Sequence, residues 1–302
     1  MRGCYGMMKK LLIMAAVMAS ISPLISGSQA DPGVRGVEDL VALLTDYGTT
    51  GFYAGALEGS IYSANPEARI STITHQVSAF DVAEGSYILA QAAREFPPGT
   101  VFAAEVDPGV GGGARAIVLV TADGKLFVGP DNGLFSGVME DLGIASIREI
   151  TDPNLTAKGK TAAFRGVGIY GPVAGRLSAG MDPTSIGPEI SDPVRIEARR
   201  GGIEDGAIVG TVALVDHFGN LVTDIPGELA DEAGLAPEDG VEIALDGEVV
   251  EATFGRTYAD VPAGEWVLFA GPSGRLEIAI NMDSAAEAVE ATPGTTVQVR
   301  KI

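Results

Sequence analysis

The 302-residue sequence has a single cysteine, Cys4, and only two histidines. Cys4 lies ahead of the one long apolar run, so the chain beyond that run can form no disulfide and do no thiol chemistry. His75 and His217 stand far apart with no ligand spacing around them, and no metal site is recognisable. Neither a phosphate-binding loop nor a dinucleotide glycine fingerprint follows the first strand candidate, because "TDYGTTGFYAG" has neither spacing. Positive charge is scarce too: 20 Lys and Arg face 40 Asp and Glu, for a net charge of −20 at pH 7. So acidic a surface makes a poor partner for nucleic acid or an anionic membrane, and it reads as a solvated coat that aids solubility. Internal repeats and low-complexity runs are also absent.

The apolar run, residues 11–25, follows Lys9 and Lys10 and precedes Ser28 and Ala30 in an A-x-A-like pattern. Broken by Pro23, it falls short of the roughly 20 residues that a bilayer span needs. It reads instead as a signal peptide over residues 1–30, cut after Ala30, which predicts a periplasmic or secreted protein with no membrane attachment after cleavage. Removal of that segment takes away Arg2, Lys9 and Lys10 and no acid, so the net charge becomes −23.

The full sequence is 46% hydrophobic residues, and what remains after that removal is still long and apolar enough to divide into two domains. Over residues 37–200 strands and helices alternate. "DLVALLTDYG" is a buried strand ending in Asp46, "GFYAGALEGSIYSANP" a helix stopped by Asn65 and Pro66, and "ARISTITH" the next strand. Asp81 and Glu84 open a second helix in capping-box fashion, and Pro97 and Pro98 close it. Then "GTVFAAEV" and "AIVLVT" are strands, and "NGLFSGVMEDLG" and "GPVAGRLSAG" helices. The alternation predicts a mostly parallel, Rossmann-like sheet covered on both faces. Residues 205–302 read as six short strands, with the Asp246-Gly247 pair marking a type I′ hairpin, and predict a small all-β domain.

Ligand sites in open α/β sheets gather at the carboxyl ends of the strands. Asp46, His75, Asp107 and Asp131 all fall at such ends. Singly, each is explained as a turn or terminus residue; four at one edge form a candidate site. Asp107 stands out, because Pro108 and the glycines at 109, 111, 112 and 113 follow it and let backbone come close to a ligand.

The segments "LLTDYGTTGFYAG", "NPEARISTITHQVSAFDVAEGSYIL", "FPPGTVFAAEVDPGVG", "VGPDNGLFS", "DHFGNLVTDI" and "GRLEIAINMDSAAE" occur in register from about Asp39 to Ile302. Together they resemble the S-adenosyl-L-methionine hydrolases (hydroxide adenosyltransferases), a family related to the fluorinase and chlorinase. The resemblance implies an α/β amino-terminal domain, a carboxy-terminal β-barrel, and a homotrimer whose sites lie between the first domain of one subunit and the second of its neighbour. It implies S-adenosylmethionine as substrate and no cofactor, with a nucleophile attacking C5′ of the ribose in line with the sulfonium. Water gives adenosine and methionine; halide gives a 5′-halo-5′-deoxyadenosine. Asp46 matches the carboxylate that holds the ribose diol, and Tyr53, Phe80 and Phe164 match pocket-lining positions. Asp216, Phe218 and Asn220 match residues that hold the methionine ammonium, stack on adenine and bind its edge. Ser273 and the backbone around Met282 match the remaining contacts.

Asp107 matches the hydrolases' aspartate, where the halogenases carry tyrosine; a carboxylate repels halide and accepts a hydrogen bond from water. The family pairs that aspartate with an arginine beyond the glycines and a histidine in an "FHGRD" segment. In this chain Ala114 takes the arginine's place with Arg115 next to it, Arg165 takes the histidine's place, and Gly168 replaces the segment's aspartate. Asp107, Arg115 and Arg165 are thus the catalytic candidates, with one arginine expected to pair with Asp107. Hydrolysis of S-adenosylmethionine is the expected function. The alternative is an adenosyl-binding protein without catalysis, and halogenation is the reading that Asp107 argues against.

Overall fold

The structure, a computed structural model, describes residues 39–157, 163–197 and 200–302. The signal peptide expected over residues 1–30 lies outside them.

Six strands form the first sheet: β1 (Leu40–Thr45), β2 (Arg69–Thr74), β3 (Val101–Glu105), β4 (Ala116–Val120), β5 (Leu126–Pro130) and β6 (Ser146–Glu149). Their order is β2-β1-β3-β5-β4-β6. Side chains alternate across a strand, and both faces of this sheet are apolar. Ala42, Leu44, Phe102, Ala104, Ile117 and Phe127 point to one face, Val41, Leu43, Val101, Ala103, Val118 and Val128 to the other. Helices cover both. The first face packs on α2 (Val82–Glu95) and α3 (Ser136–Asp141) through Leu89, Ala93, Val138 and Met139. The second packs on α1 (Tyr53–Ala64) and α4 (Gly171–Ser178) through Leu57, Ile61, Val173 and Leu177.

Helix α2 starts where the sequence places it. The Asp81 carboxylate accepts the Glu84 amide at 2.9 Å, and Glu84 accepts the Ser78 amide at 2.9 Å, so the reciprocal half of the cap closes on Ser78.

The sheet is mostly parallel but not wholly so, because β4 runs antiparallel to both β5 and β6. Only residues 121–125 join β4 to β5, whereas a parallel crossover needs a dozen residues or more. Their Asp123-Gly124 pair, with Gly124 at φ 87°, is a turn signal.

The second sheet comprises β7 (Gly202–Glu204), β8 (Ala207–Val215), β9 (Leu221–Pro226), β10 (Gly240–Leu245), β11 (Glu248–Phe254), β12 (Trp266–Ala270), β13 (Arg275–Ile280) and β14 (Thr296–Lys301). Seven of these close into a barrel in the order β14-β10-β11-β12-β13-β9-β8, with β14 pairing back to β8 and β7 added on the outside of β8. Closure leaves few free edges. The β10–β11 hairpin turns at Asp246 and Gly247, with φ of 48° and 95°, the two positive values of a type I′ turn. The barrel is filled by residues such as Ile208, Leu221, Ile243, Leu268, Ile278 and Val299.

Candidate functional site

The four parallel strands β2, β1, β3 and β5 end at one edge of the first sheet. His75, Asp46 and Asp131 directly follow β2, β1 and β5, and Asp107 lies two residues past β3. The edge therefore collects the polar residues that its sequence places at strand ends.

Asp107 is buried with both oxygens engaged: Oδ1 accepts the Gly109 amide at 3.1 Å and Oδ2 accepts Nη1 of buried Arg165 at 3.2 Å. The Arg165 guanidinium also lies over the Tyr170 ring, 5.2 Å from its centroid, a cation–π distance. Arg165 opens a π-helical turn, Gly166–Tyr170, that leads into α4 and has no signature in the sequence. Arg115 goes elsewhere. Its guanidinium contacts Asp131 at 2.9 and 2.6 Å, the Asp192 carboxylate at 2.9 Å and the Asp192 carbonyl at 2.7 Å. Of the two arginines expected beside Asp107, the structure pairs Arg165 with it.

Sequence reasoning passed over Glu105, the last residue of β3. It is buried and accepts a hydrogen bond from the Tyr47 hydroxyl. Burial drives its pKa up to about 7; the Tyr47 hydrogen bond opposes the rise, Asp107 adds to it, and Arg165 with the Gly166 amide opposes it. The Tyr47 and Tyr170 phenols are both pushed well above their ordinary value, chiefly by burial. Residue 166 must be glycine, because a Cβ there would overlap both the Tyr47 hydroxyl and Glu105. A carboxylate inside the apolar run "VFAAEV" is the signal that could have found this group, since buried acids are rare without a partner.

Above these charges lies a wall of rings. Tyr47, Tyr53 and Phe164 pack at centroid distances of 6.0, 5.6 and 5.2 Å, and Phe52 stacks on Tyr53 at 4.6 Å. Asp46 accepts the Phe80 amide at 3.0 Å. Phe80 itself is 69% exposed and holds φ at 71°, a backbone state uncommon outside glycine. His75 bonds Thr45 through Nδ1 at 2.8 Å, its buried Nε2 has no partner, and burial lowers its pKa.

A second group sits on the barrel. The Asp216 carboxylate accepts the amides of Phe218 and Asn220 at 2.8 and 2.9 Å and the Asn220 side-chain amide at 2.8 Å, tying the β8–β9 loop into one shape. Gly219, at φ 84°, packs so closely on Ser284 that no side chain fits. That contact brings Phe218, 74% exposed, next to the segment carrying Met282, 89% exposed. Ser273 precedes β13 and Met282 follows it, so the two flank opposite ends of a strand about 20 Å long. The buried Ser273 and Tyr87 hydroxyls lie side by side but outside hydrogen-bonding geometry.

The structure thus brings together Asp46, Tyr53, Phe80, Asp107, Phe164 and Arg165 at the sheet edge, and Asp216, Phe218, Asn220 and Met282 on the barrel. Among the described residues no hydrogen bond, ion pair or ring contact joins the two groups. A cavity of about 370 Å³ between α2, α3 and the barrel is lined by Tyr87, Glu140, Thr211, Asp224 and Arg275, and by none of the expected site residues. Among the described residues no cluster of three or more His, Cys, Asp or Glu could hold a metal ion.

Residues 41–187 match the SAM hydroxide adenosyltransferase N-terminal domain, and residues 210–298 match its C-terminal domain. The chain is 34% identical over 262 residues to the (R)-S-adenosyl-L-methionine hydrolase of Salinispora tropica, covering 86% of this chain and 97% of that protein. To the enzyme of the same name from Methanocaldococcus jannaschii it is 30% identical, covering 82% and 91%. The fluorinase of Nocardia brasiliensis is 26% identical, with 88% and 98% covered. A crystal structure of an uncharacterized conserved protein from Thermotoga maritima superposes with a TM-score of 0.83 at 34% identity, covering 86% of this chain and 99% of that one. Both domains match in order and relatives above 30% identity span nearly their whole length, so the chain belongs to the SAM hydroxide adenosyltransferase family.

Proposed function

We propose that this protein hydrolyses S-adenosylmethionine to adenosine and methionine. Water bonds to C5′ of the ribose as the C5′–S bond breaks, the electron pair leaves with sulfur as the neutral thioether of methionine, and one proton is released. The observation that carries the reading is Asp107: a carboxylate at the mouth of β3, fixed by Arg165 and the Gly109 amide beneath a wall of aromatic rings. A group held this firmly can orient water against an aligned carbon, and alignment supplies much of the rate in such a displacement. Asp107 and nearby Glu105 disfavour halide as the nucleophile.

In this reading Asp46 binds the ribose diol between Tyr53, Phe80 and Phe164. Asp216, Phe218, Asn220 and Met282 come from a neighbouring subunit of a homotrimer and hold adenine and methionine, while Ser273, at the far end of β13, stands apart from them. The exposure of Phe80, Phe218 and Met282, and the separation of the two groups within one chain, support a site shared between subunits. No cofactor enters the reaction. Export through residues 1–30 is part of the reading.

The test is to incubate the purified protein with each sulfonium epimer of S-adenosylmethionine, with and without chloride, and identify products by mass spectrometry. The relatives are named for the (R) epimer, and the expected result is adenosine plus methionine from that epimer with no chlorinated nucleoside. A halogenated product, or none, would sink it. Arg165 favours one second reading: an arginine does not give up its proton, so a chain with Arg165 where the family has histidine suits an adenosyl-binding protein. Such a protein would be protected against heating by the ligand yet release no adenosine.

A further inference from the structure

Hydrolysis leaves one proton to be accounted for. The attacking water must lose it as its oxygen bonds to C5′, and methionine departs neutral without taking it. The groups around Asp107 are poor takers. Arg165 stays protonated. Asp107 is committed to its ion pair with Arg165, which protonation would break, while the remaining lone pairs of its oxygens still accept a hydrogen bond from water. The Tyr47 and Tyr170 phenols are held in their protonated forms by burial. His75 follows β2, two strands away from β3 in the sheet, and burial lowers its pKa, so its ring holds a proton poorly.

Resting on the hydrolytic reading above, we propose that Glu105 is the group that accepts the proton released by the attacking water. Glu105 belongs to the same sheet face as Val101 and Ala103, the face covered by the π-helical turn that carries Arg165, and Asp107 follows two residues on. Its oxygen is fixed by the Tyr47 hydroxyl, and Tyr47 is itself part of the ring wall with Tyr53 and Phe164. The charged and titratable groups that face it are Tyr47 from the loop after β1, Asp107 beyond its own strand, and Arg165 and Tyr170 from the π-helical turn; Asp46 acts on the Tyr47 hydroxyl. Its pKa near 7 matches what a general base needs at neutral pH: ionised often enough to act, basic enough to take the proton. Arg165 then has a defined task. It balances Asp107 and leaves the second carboxylate free to cycle between charged and neutral forms.

The experiment is the pH dependence of adenosine formation. In the wild type, kcat should rise with pH through about 7 and level off above it, because only the carboxylate can accept. Glu105→Gln should lower kcat about 100-fold and flatten that rise, with KM for S-adenosylmethionine within about two-fold of wild type. Glu105→Asp should recover part of the rate together with the pH-dependent rise. Tyr47→Phe removes a hydrogen bond to the ionised form and should move the rise to higher pH. A Glu105→Gln enzyme with the wild-type rate and pH profile overturns this proposal alone. A wild-type protein that makes no adenosine at any pH overturns the hydrolytic reading, and this inference with it. Should Glu105→Gln fail to fold by circular dichroism, Tyr47→Phe decides, and an unmoved profile counts against the proposal.

Discussion

At the sheet edge Glu105, Asp107 and Arg165 are all buried, whereas at the end of the barrel Phe218 and Met282 are 74% and 89% exposed. Two groups of residues that the proposed function brings to one ligand are thus built on opposite physical terms. The first consists of charges that cannot leave one another: removing a single partner strands an uncompensated charge away from water. The second consists of apolar surface presented to solvent and shaped by one carboxylate, Asp216, that folds its own loop. Buried charges act strongly because the surrounding dielectric is low. Exposed rings act only when something covers them. In the proposed function the contrast puts the chemistry in the α/β half, beside the ribose contacts, and gives the barrel half recognition alone.

The largest effect should follow from removing the cation. Arg165→Leu leaves Asp107 and Glu105 as neighbouring buried acids, and breaking a buried pair in this way costs about 3–5 kcal/mol. The melting temperature should drop by about 10 °C at pH 8 and by clearly less at pH 5, where Glu105 is neutral. The single tryptophan, Trp266, lies in barrel strand β12 and reports that half by its fluorescence. A melting temperature unchanged at pH 8 would mean that the pair stabilises nothing and that the contrast is false.

Next in size is the pH dependence of stability. Glu105 has a folded pKa of about 7 against an ordinary value of 4.5, so between those values the native state binds more protons than the unfolded chain. Stability from this group is complete below about pH 4.5 and is lost as pH rises through about 7, a change on the order of 3 kcal/mol. Glu277 on the barrel shifts in the same direction, mainly by burial. Comparing urea denaturation of wild type and Glu105→Gln at several pH values isolates the Glu105 share. The two curves should diverge with rising pH, the variant being the more stable at pH 8. Parallel curves would show that Glu105 is not held in the neutral form by its surroundings.

These charges were unevenly legible in the sequence. Asp46, Asp107 and Asp131 could be read because each ends an apolar strand, and the Arg165–Asp107 pair could be named because one residue of each stands in a quoted motif. Glu105 was hidden: inside "VFAAEV" it looks like one more strand position, and only the fold shows that Tyr47 and Arg165 converge on it. Arg115 was misleading for a related reason. Its partner Asp192 is 77 residues away in a stretch with no regular structure, and no local pattern announces such a contact. The antiparallel β4 was legible in principle, since a five-residue link forbids a crossover, but the strand-helix alternation elsewhere masked it. The barrel hairpin needed only Asp246 and Gly247, because positive φ at both positions is a local demand.

The smallest effect on stability, and the sharpest on recognition, should come from Asp216→Ala. The carboxylate accepts three hydrogen bonds within the five-residue loop between β8 and β9. Phe218 is open to solvent and water can take over its amide, but Asn220 is buried and its two donors lose their carboxylate partner, so global stability should fall by about 2 kcal/mol. Ordering is lost all the same. Phe218 would have to be immobilised at the moment of binding, which costs about 0.5–1.5 kcal/mol per side chain, or about two- to ten-fold in affinity. Titration calorimetry with two ligands separates the loop from the charge. Adenosine has no ammonium group, so if Asp216 acts only by shaping the loop, adenosine and S-adenosylmethionine should weaken equally. A greater loss for S-adenosylmethionine would give the barrel a direct electrostatic contact with the methionine ammonium and blur the division between a charged half and a recognising half. An unchanged affinity for both would remove Phe218 from the binding surface altogether.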